Sequence, residues 1–315
     1  MPNIWAHIQF GREVLSAIQA DSPMKLPEWK TAFQLGCQGP DFLFYDRYLP
    51  WQQGGTVLNK LGSLMHARRC GPFLISLLEA AADRTANDPV TAYSLGFLLH
   101  HLLDRHLHPF VFSRSGFRKW HHQRYETAMD SVFLMRRAGL HTGRTPVAPE
   151  IDTGGRLPGG FAAGFLRIAQ LHYPVLAGAV TSEQLDRAVA QMQQAQRLFY
   201  DPGGWKGRLV FGQLKPFSPP RRTPDWDVLN DARQAWVDPT DRTAVRRDSA
   251  TELWERALAD GCETAAAALR WLEAGPDETA GLKARFAERL GDISYETGKP
   301  CGSAEIVYAD SVVPI

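Results

Sequence analysis

The chain has few cysteines and almost no excess of charge of either sign. Its four cysteines are spread over 315 residues without a CxxC pair, and they are best interpreted as free thiols. Lys and Arg number 35 against 34 Asp and Glu, a formal net charge of +1. That balance argues against nucleic acid or an anionic membrane surface as the main partner. It leaves room for local basic patches near Arg221 and Arg246, where solvated surface charge is the favoured interpretation.

Long apolar runs are also missing. No segment has the roughly 18 uninterrupted apolar residues of a transmembrane helix. The first residues, MPNIWAHIQFGREVL, lack the charged region followed by an apolar region that marks a secretory signal. Together with the free thiols, this predicts a cytoplasmic location. Oligomeric state does not follow from these features.

The apolar residues that are present recur at helical spacing almost throughout, and alternating β-branched runs are scarce. The sequence therefore predicts an all-α fold, with one short strand in the C-terminal EIVYADSVVPI. The predicted helical segments are 7–20, 54–69, 72–84, 88–107, 117–138, 159–173, 181–198, 246–274 and 279–290. The loop 36–55 has the composition of an ordered loop, and 141–160 resembles a boundary. We predict a helical core over 1–140 and a helical extension, 141–315, that packs on the core or caps its cleft.

The most informative residues lie between positions 100 and 126. Positions four apart sit nearly above one another on a helix, so His100, Asp104 and His108 form a polar stripe on an otherwise apolar helix. His122 and Glu126 repeat the spacing on the next predicted helix. Buried polar groups are costly unless they are satisfied, and two facing stripes of imidazole and carboxylate predict bound cations, zinc above all. Asp104 could then touch two metals at once.

Four further residues are candidates for the same site. His7, Asp41 and His66 lie in the first third of the chain, and each taken alone would be unremarkable. Asp130 continues the second stripe. It could be a ligand, but a hydrogen-bond acceptor for a metal-bound residue or an ion-pair partner is as good an interpretation.

The order and spacing of four segments resemble the zinc-dependent phospholipase C family, which shares an all-α superfamily with single-strand-specific zinc nucleases. The segments are MPNIWAHIQFGREVL, GCQGPDFLFY, GFLLHHLLDRHLHPFV and HQRYETAMD, which together cover roughly residues 1–138.

The resemblance implies up to three zinc ions, two of them close together. The implied ligands are His66, His100 and Asp104 for one metal, His7 and Asp104 with the chain's amino terminus for its neighbour, and His108, His122 and Glu126 for the third. Asp41 matches an acidic residue that is a metal ligand in the nucleases and a candidate base in the phospholipases. Loss of Met1 would leave the amine of Pro2 five residues ahead of His7.

The predicted activity is hydrolysis of a phosphodiester by a metal-activated water that attacks phosphorus, with a phospholipid head-group ester as the first candidate substrate. One alternative is a nuclease that stacks single-stranded bases on aromatic side chains, although no stable nucleic-acid partner is expected. Its platform would be Phe42, Phe44, Tyr45, Tyr48 and Trp51, for which loop packing is the favoured interpretation. The other alternative is a non-enzymatic protein with a structural metal, which the distance of the cysteines from the histidine cluster disfavours. An HD-type phosphohydrolase is disfavoured, because the sequence lacks the adjacent His-Asp pair that such an enzyme requires.

Overall fold

The fold is built almost entirely from helices. The computed structural model describes residues 4–20, 22–49, 52, 56–82, 84–209, 211 and 214–314. The α-helices of these residues are α1 (Ile4–Ala17), α2 (Pro27–Gly36), α3 (Val57–Ala67), α4 (Cys70–Ala82), α5 (Pro89–Ser115), α6 (His121–Ala138), α7 (Ala162–His172), α8 (Pro174–Ala177), α9 (Ser182–Phe199), α10 (Trp205–Leu209), α11 (Ala250–Leu272) and α12 (Pro276–Leu290). Short 3-10 helices lie at Ser22–Lys25, Gly39–Tyr45, Ala148–Ile151 and Pro158–Gly160. The predicted all-α class is confirmed.

A single hairpin is the sheet of the described residues, and it does not lie where the sequence predicted a strand. Strands β1 (Trp236–Asp238) and β2 (Asp241–Arg246) pair antiparallel. The prediction for 305–315 is wrong over its described part, 305–314, which forms no strand. Instead, the amides of Asp310 and Val312 donate to carbonyls at the end of α5, at 2.7 and 2.9 Å. The last carbonyls of a helix have no partner within it, so this segment satisfies groups that would otherwise be left free.

Helix α5 is the centre of the molecule and packs against α1, α2, α4, α6 and α11. Its start is fixed by Asp88, whose side chain accepts a hydrogen bond from the Val90 amide at 2.7 Å, with Pro89 in the first turn. Gly116, with φ 74°, ends it. Because nearly every residue of α5 is buried, its polar side chains are held inside the protein.

The two predicted halves share one apolar core. The α11 residue Trp254 packs edge-on against Phe10 of α1, with ring centroids 5.6 Å apart, and lies 4.8 Å from the Phe133 ring of α6. In the hairpin, Trp236 packs against Phe110 of α5. A division of the chain at residue 140 stays a prediction. Every helix of the described residues is too short or too polar to cross a bilayer.

Candidate metal centre

All eight sequence-predicted site residues come together around α5. His7 lies on α1, Asp41 in the 3-10 turn Gly39–Tyr45, and His66 on the last turn of α3. The other five lie on α5 and α6. Seven of the eight side chains are at most 5% exposed, and His122, at 17%, marks the side of the centre nearest to solvent.

The ligand atoms form three sets in which all atoms lie within 4.8 Å of one another. The sets are His7 with His100 and Asp104, Asp41 with His66 and His100, and His108 with His122 and Glu126. The third set has the composition that the sequence predicted. In the other two, His66 is grouped with Asp41 instead of Asp104, and His100 belongs to both. The amino terminus, Met1 and Pro2, lies outside the described residues.

Asp104 is the hub of the centre. Its Oδ1 atom lies 3.3 Å from Nε2 of His7 and 3.5 Å from Nε2 of His108, and its Oδ2 atom lies 3.0 Å from Nε2 of His100. The neighbouring pair of His122 and Glu126 has Nε2 and Oε1 2.8 Å apart. A carboxylate with imidazoles on both oxygens has the arrangement needed to bridge two cations.

Backbone carbonyls orient three of the imidazoles. The Nδ1 contacts are His66 with Gly62 at 2.7 Å, His100 with Cys37 at 3.0 Å, and His108 with Tyr295 at 3.1 Å. A carbonyl only accepts hydrogen bonds, so each Nδ1 must carry the proton and donate it. In the neutral ring this leaves the lone pair on Nε2, the atom that faces the carboxylates.

Nitrogen lone pairs that face carboxylate oxygens repel unless a proton or a metal ion lies between them. The Nε2 atoms of His7, His100 and His108 are buried and have no hydrogen-bond partner among the residues that the structure describes. Buried polar atoms are rarely left in that state. The residues therefore fit zinc, which takes imidazole nitrogen and carboxylate oxygen as ligands.

The pKa values follow from burial and from the paired charges. Burial alone would raise the pKa of Asp104, but the surrounding imidazoles hold it well below its ordinary value. The same opposition leaves the pKa values of Asp41 and Glu126 lowered. For His108, burial works towards a lower pKa, and Asp104 and Glu126 outweigh it and raise the pKa to about 9. The site thus holds three buried carboxylates in the charged form that binds cations.

Gly39 makes room for His100. It has a φ of +50°, and a Cβ atom there would lie 2.1 Å from Cδ2 of His100. The residue next but one is Asp41, so the turn brings a carboxylate beside the imidazole only because position 39 has no side chain.

At Pro109, α5 is approached closely by a loop of the C-terminal half. It has no N–H, so the carbonyl of Arg105 is released from the helix ladder of α5. Gly298 approaches this carbonyl so closely that a Cβ would lie 2.3 Å from its oxygen. The loop that carries Gly298 also carries Tyr295, whose carbonyl orients His108 and whose amide donates to His66 O at 3.0 Å. No pattern in the sequence could indicate Tyr295, because a backbone carbonyl is common to every residue type.

The remaining acids and histidines have other partners. Asp130 accepts a hydrogen bond from the Ala6 amide at 2.5 Å and so holds α1, which bears His7. His101 lies 2.8 Å from the carbonyl of Ile293, and burial lowers its pKa to about 3. His106 lies 2.8 Å from Asp260. Although burial raises it, the pKa of Asp260 is lowered overall by the hydrogen bond to His106 and by the charge of Arg105.

Two of the cysteines meet in a cluster that the sequence did not indicate. Cys70 and Cys301 are free thiols whose sulfur atoms are 3.4 Å apart, and the carboxylate of Asp292 lies beside them. Their separation of more than 200 positions explains why spacing could not reveal the pair.

Comparison with known protein families gives one match. Residues 6–158, just under half of the chain, match the family model of the zinc dependent phospholipases C. Over this segment the chain is similar to that family. The matched residues contain all the predicted ligands except those of the amino terminus, and the protein is accordingly a zinc-dependent phosphodiester hydrolase of phospholipase C type. No curated protein and no solved structure gives a significant match.

Proposed function

We propose that this phospholipase C-like enzyme cleaves the phosphodiester of phospholipid head groups at a centre of up to three zinc ions, which the residues of the three sets described above would hold between them. The observation that carries the proposal is the orientation of His66, His100 and His108 by backbone carbonyls, which turns their Nε2 atoms towards buried carboxylates. The family match supports the substrate class. A cytoplasmic location stays a prediction of the sequence.

The reaction we propose is addition of water to phosphorus with cleavage of the phosphorus–oxygen bond to glycerol. The products are a diacylglycerol, which takes a proton on its new hydroxyl, and the phosphomonoester of the head group. Zinc ions, when bound, lower the pKa of water and neutralise charge on phosphoryl oxygens. The work of the protein is to position the ligands and keep them charged.

We assign to Asp41 the task of orienting the attacking water. Its Oδ1 atom lies 3.1 Å from Nε2 of His66. Burial would raise the pKa of Asp41, yet the hydrogen bond to His66 and the charges of His100 and His66 lower it. A carboxylate with a low pKa is a weak base, so its main role is to accept a hydrogen bond from water and orient it for attack.

The nuclease alternative draws no support from Phe42 or Tyr45, two of the aromatic residues near Asp41. Phe42 and Tyr45 are buried, Phe42 packing against Phe165 while the Tyr45 hydroxyl accepts a hydrogen bond from Gln196 at 2.9 Å. Buried rings offer no face on which a base could stack. Loop packing, the favoured interpretation of the sequence, describes these two residues. Trp51 lies outside the described residues.

The test compares three substrates for the zinc-loaded full chain: phosphatidylcholine in mixed micelles, a water-soluble nitrophenyl phosphodiester and single-stranded DNA. We expect release of diacylglycerol and phosphocholine, with a loss of about a hundredfold or more in Asp41→Asn. Asp46→Asn is the matched control, because Asp46 is equally buried but pairs with Arg187 at 3.0 Å. Cleavage of DNA but not of phospholipid would overturn the assignment of substrate.

A further inference from the structure

Residues 202–224 differ from the rest of the chain in charge. They contain five basic residues and no acidic one, within a protein whose net charge is +1. Four of the five are exposed, and none of these four forms an ion pair with a described residue. The four are Arg208, Lys215, Arg221 and Arg222. The fifth, Lys206, donates to the carbonyls of Arg197 and Tyr200.

The same segment exposes large apolar side chains. Trp205 is 58% exposed, Leu209 69% and Phe211 95%. Single exposed apolar residues are ordinary, but three within seven positions, interleaved with cations, are typical of a surface that meets a partner.

The segment contacts the start of α6. Phe217 packs edge-on against Trp120, with ring centroids 4.9 Å apart, and Trp120 directly precedes α6, which carries His122 in its first turn. Phe217 also lines a narrow cleft together with Trp5, two positions before His7. Phe217 therefore brings this segment close to the first turn of α6, where His122 is the most exposed of the eight site residues.

We infer that the described residues of this segment, 202–209, 211 and 214–224, form a docking surface for a phospholipid bilayer that contains anionic lipids. The apolar side chains of Trp205, Leu209 and Phe211 would enter the interface, and the unpaired cations would contact head-group phosphates. An exposed aliphatic side chain favours lipid over nucleic acid, because stacking on a base requires a ring. The overall charge balance of the chain does not oppose this, since membrane attraction acts over about a Debye length and depends on local charge.

This inference rests on the proposed function, because a docking surface beside the centre would deliver a membrane lipid to it. The two can nevertheless fail separately. A water-soluble nitrophenyl phosphodiester requires the metal centre but no docking surface, whereas vesicle binding requires the surface but no catalysis.

The experiment measures flotation of the zinc-loaded full chain with vesicles of phosphatidylcholine alone and of equimolar phosphatidylcholine and phosphatidylglycerol. The Trp205→Ser/Phe211→Ser variant should bind both less tightly, by about tenfold or more, because two apolar anchors are lost. Arg221→Gln/Arg222→Gln should weaken binding to the anionic vesicles by about tenfold and leave the neutral ones nearly unchanged. Both variants should hydrolyse the soluble diester at the wild-type rate.

The matched control is Leu171→Ser/Val175→Ser. These residues are 68% and 87% exposed, and the only Lys, Arg, Asp or Glu between positions 159 and 180 is Arg167. We expect wild-type vesicle binding in this variant. Unchanged vesicle binding in both test variants, with hydrolysis of the soluble diester retained, would overturn the inference. Equal weakening in the control, or binding to single-stranded DNA in preference to vesicles, would overturn it too.

Discussion

Replacing Asp104 by Asn should disable the metal centre while leaving the fold intact. The carboxylate is 1% exposed and faces three imidazole Nε2 atoms at 3.0–3.5 Å. The amide of Asn has the same shape but no charge, and only one of its two polar atoms can accept a metal.

The size of the effect follows from the position of Asp104 between two ligand sets. Loss of a bridging carboxylate removes several kcal/mol of charge stabilisation in the transition state, and about 4 kcal/mol corresponds to a rate loss of about a thousandfold. We therefore expect kcat/KM on a soluble phosphodiester to fall about a thousandfold and the zinc content to fall with it.

The assay pairs hydrolysis with elemental analysis of the same sample, and circular dichroism monitors the fold. Asp260→Asn is the control, because Asp260 is also a partly buried acid bonded to α5, through Arg105 and His106, but faces away from the ligand sets. It should retain zinc and activity. Undiminished activity and zinc in Asp104→Asn would refute the reasoning.

Three further predictions test the surroundings of the centre. Gly39→Ala places a Cβ 2.1 Å from the His100 ring in a left-handed backbone conformation, so zinc content should fall and Tm should drop by roughly 2–8 °C in calorimetry. Asp260→Asn should lower the free energy of unfolding by about 1–2 kcal/mol at neutral pH. Because the pKa of Asp260 is lowered in the folded protein, its charge contributes to the free energy of unfolding above the unfolded pKa of about 4, and this contribution is lost as the pH falls further. Urea titrations measure the difference in stability between wild type and Asp260→Asn. A difference that did not shrink at acidic pH would contradict this. Oxidised glutathione should convert Cys70 and Cys301, whose sulfur atoms are 3.4 Å apart, into a disulfide. Titration should then show the loss of two free thiols in the wild type. In Cys301→Ser, Cys70 should remain a free thiol.

Local rules explain why the sequence could place five of the candidate ligands next to one another. His100, Asp104 and His108 are spaced by four positions, and helix geometry alone puts them on one face. The same holds for His122 and Glu126 on α6. The helical segments were predicted for a similar reason, since apolar periodicity reports which face is buried.

Features that depend on the meeting of distant segments could not be predicted. The carbonyl of Tyr295 orients His108, although the two residues are 187 positions apart in the sequence. Cys70 and Cys301 are in contact across a sequence separation of 231 positions. The segment 305–314 has the composition of a strand, but its amides donate to the last carbonyls of α5, which have no partner within the helix. The grouping of His66 with Asp41 likewise depends on how α3 meets the Gly39–Tyr45 turn.

Zinc content per chain tests the central claim most directly. The full chain, loaded with zinc and freed of excess metal, should contain about three zinc ions by elemental analysis, held between them by the residues of the three ligand sets. Removal of zinc by a chelator should abolish phosphodiester hydrolysis, and added zinc should restore it. A chain that binds no zinc, or that hydrolyses the diester equally well without it, would contradict the account.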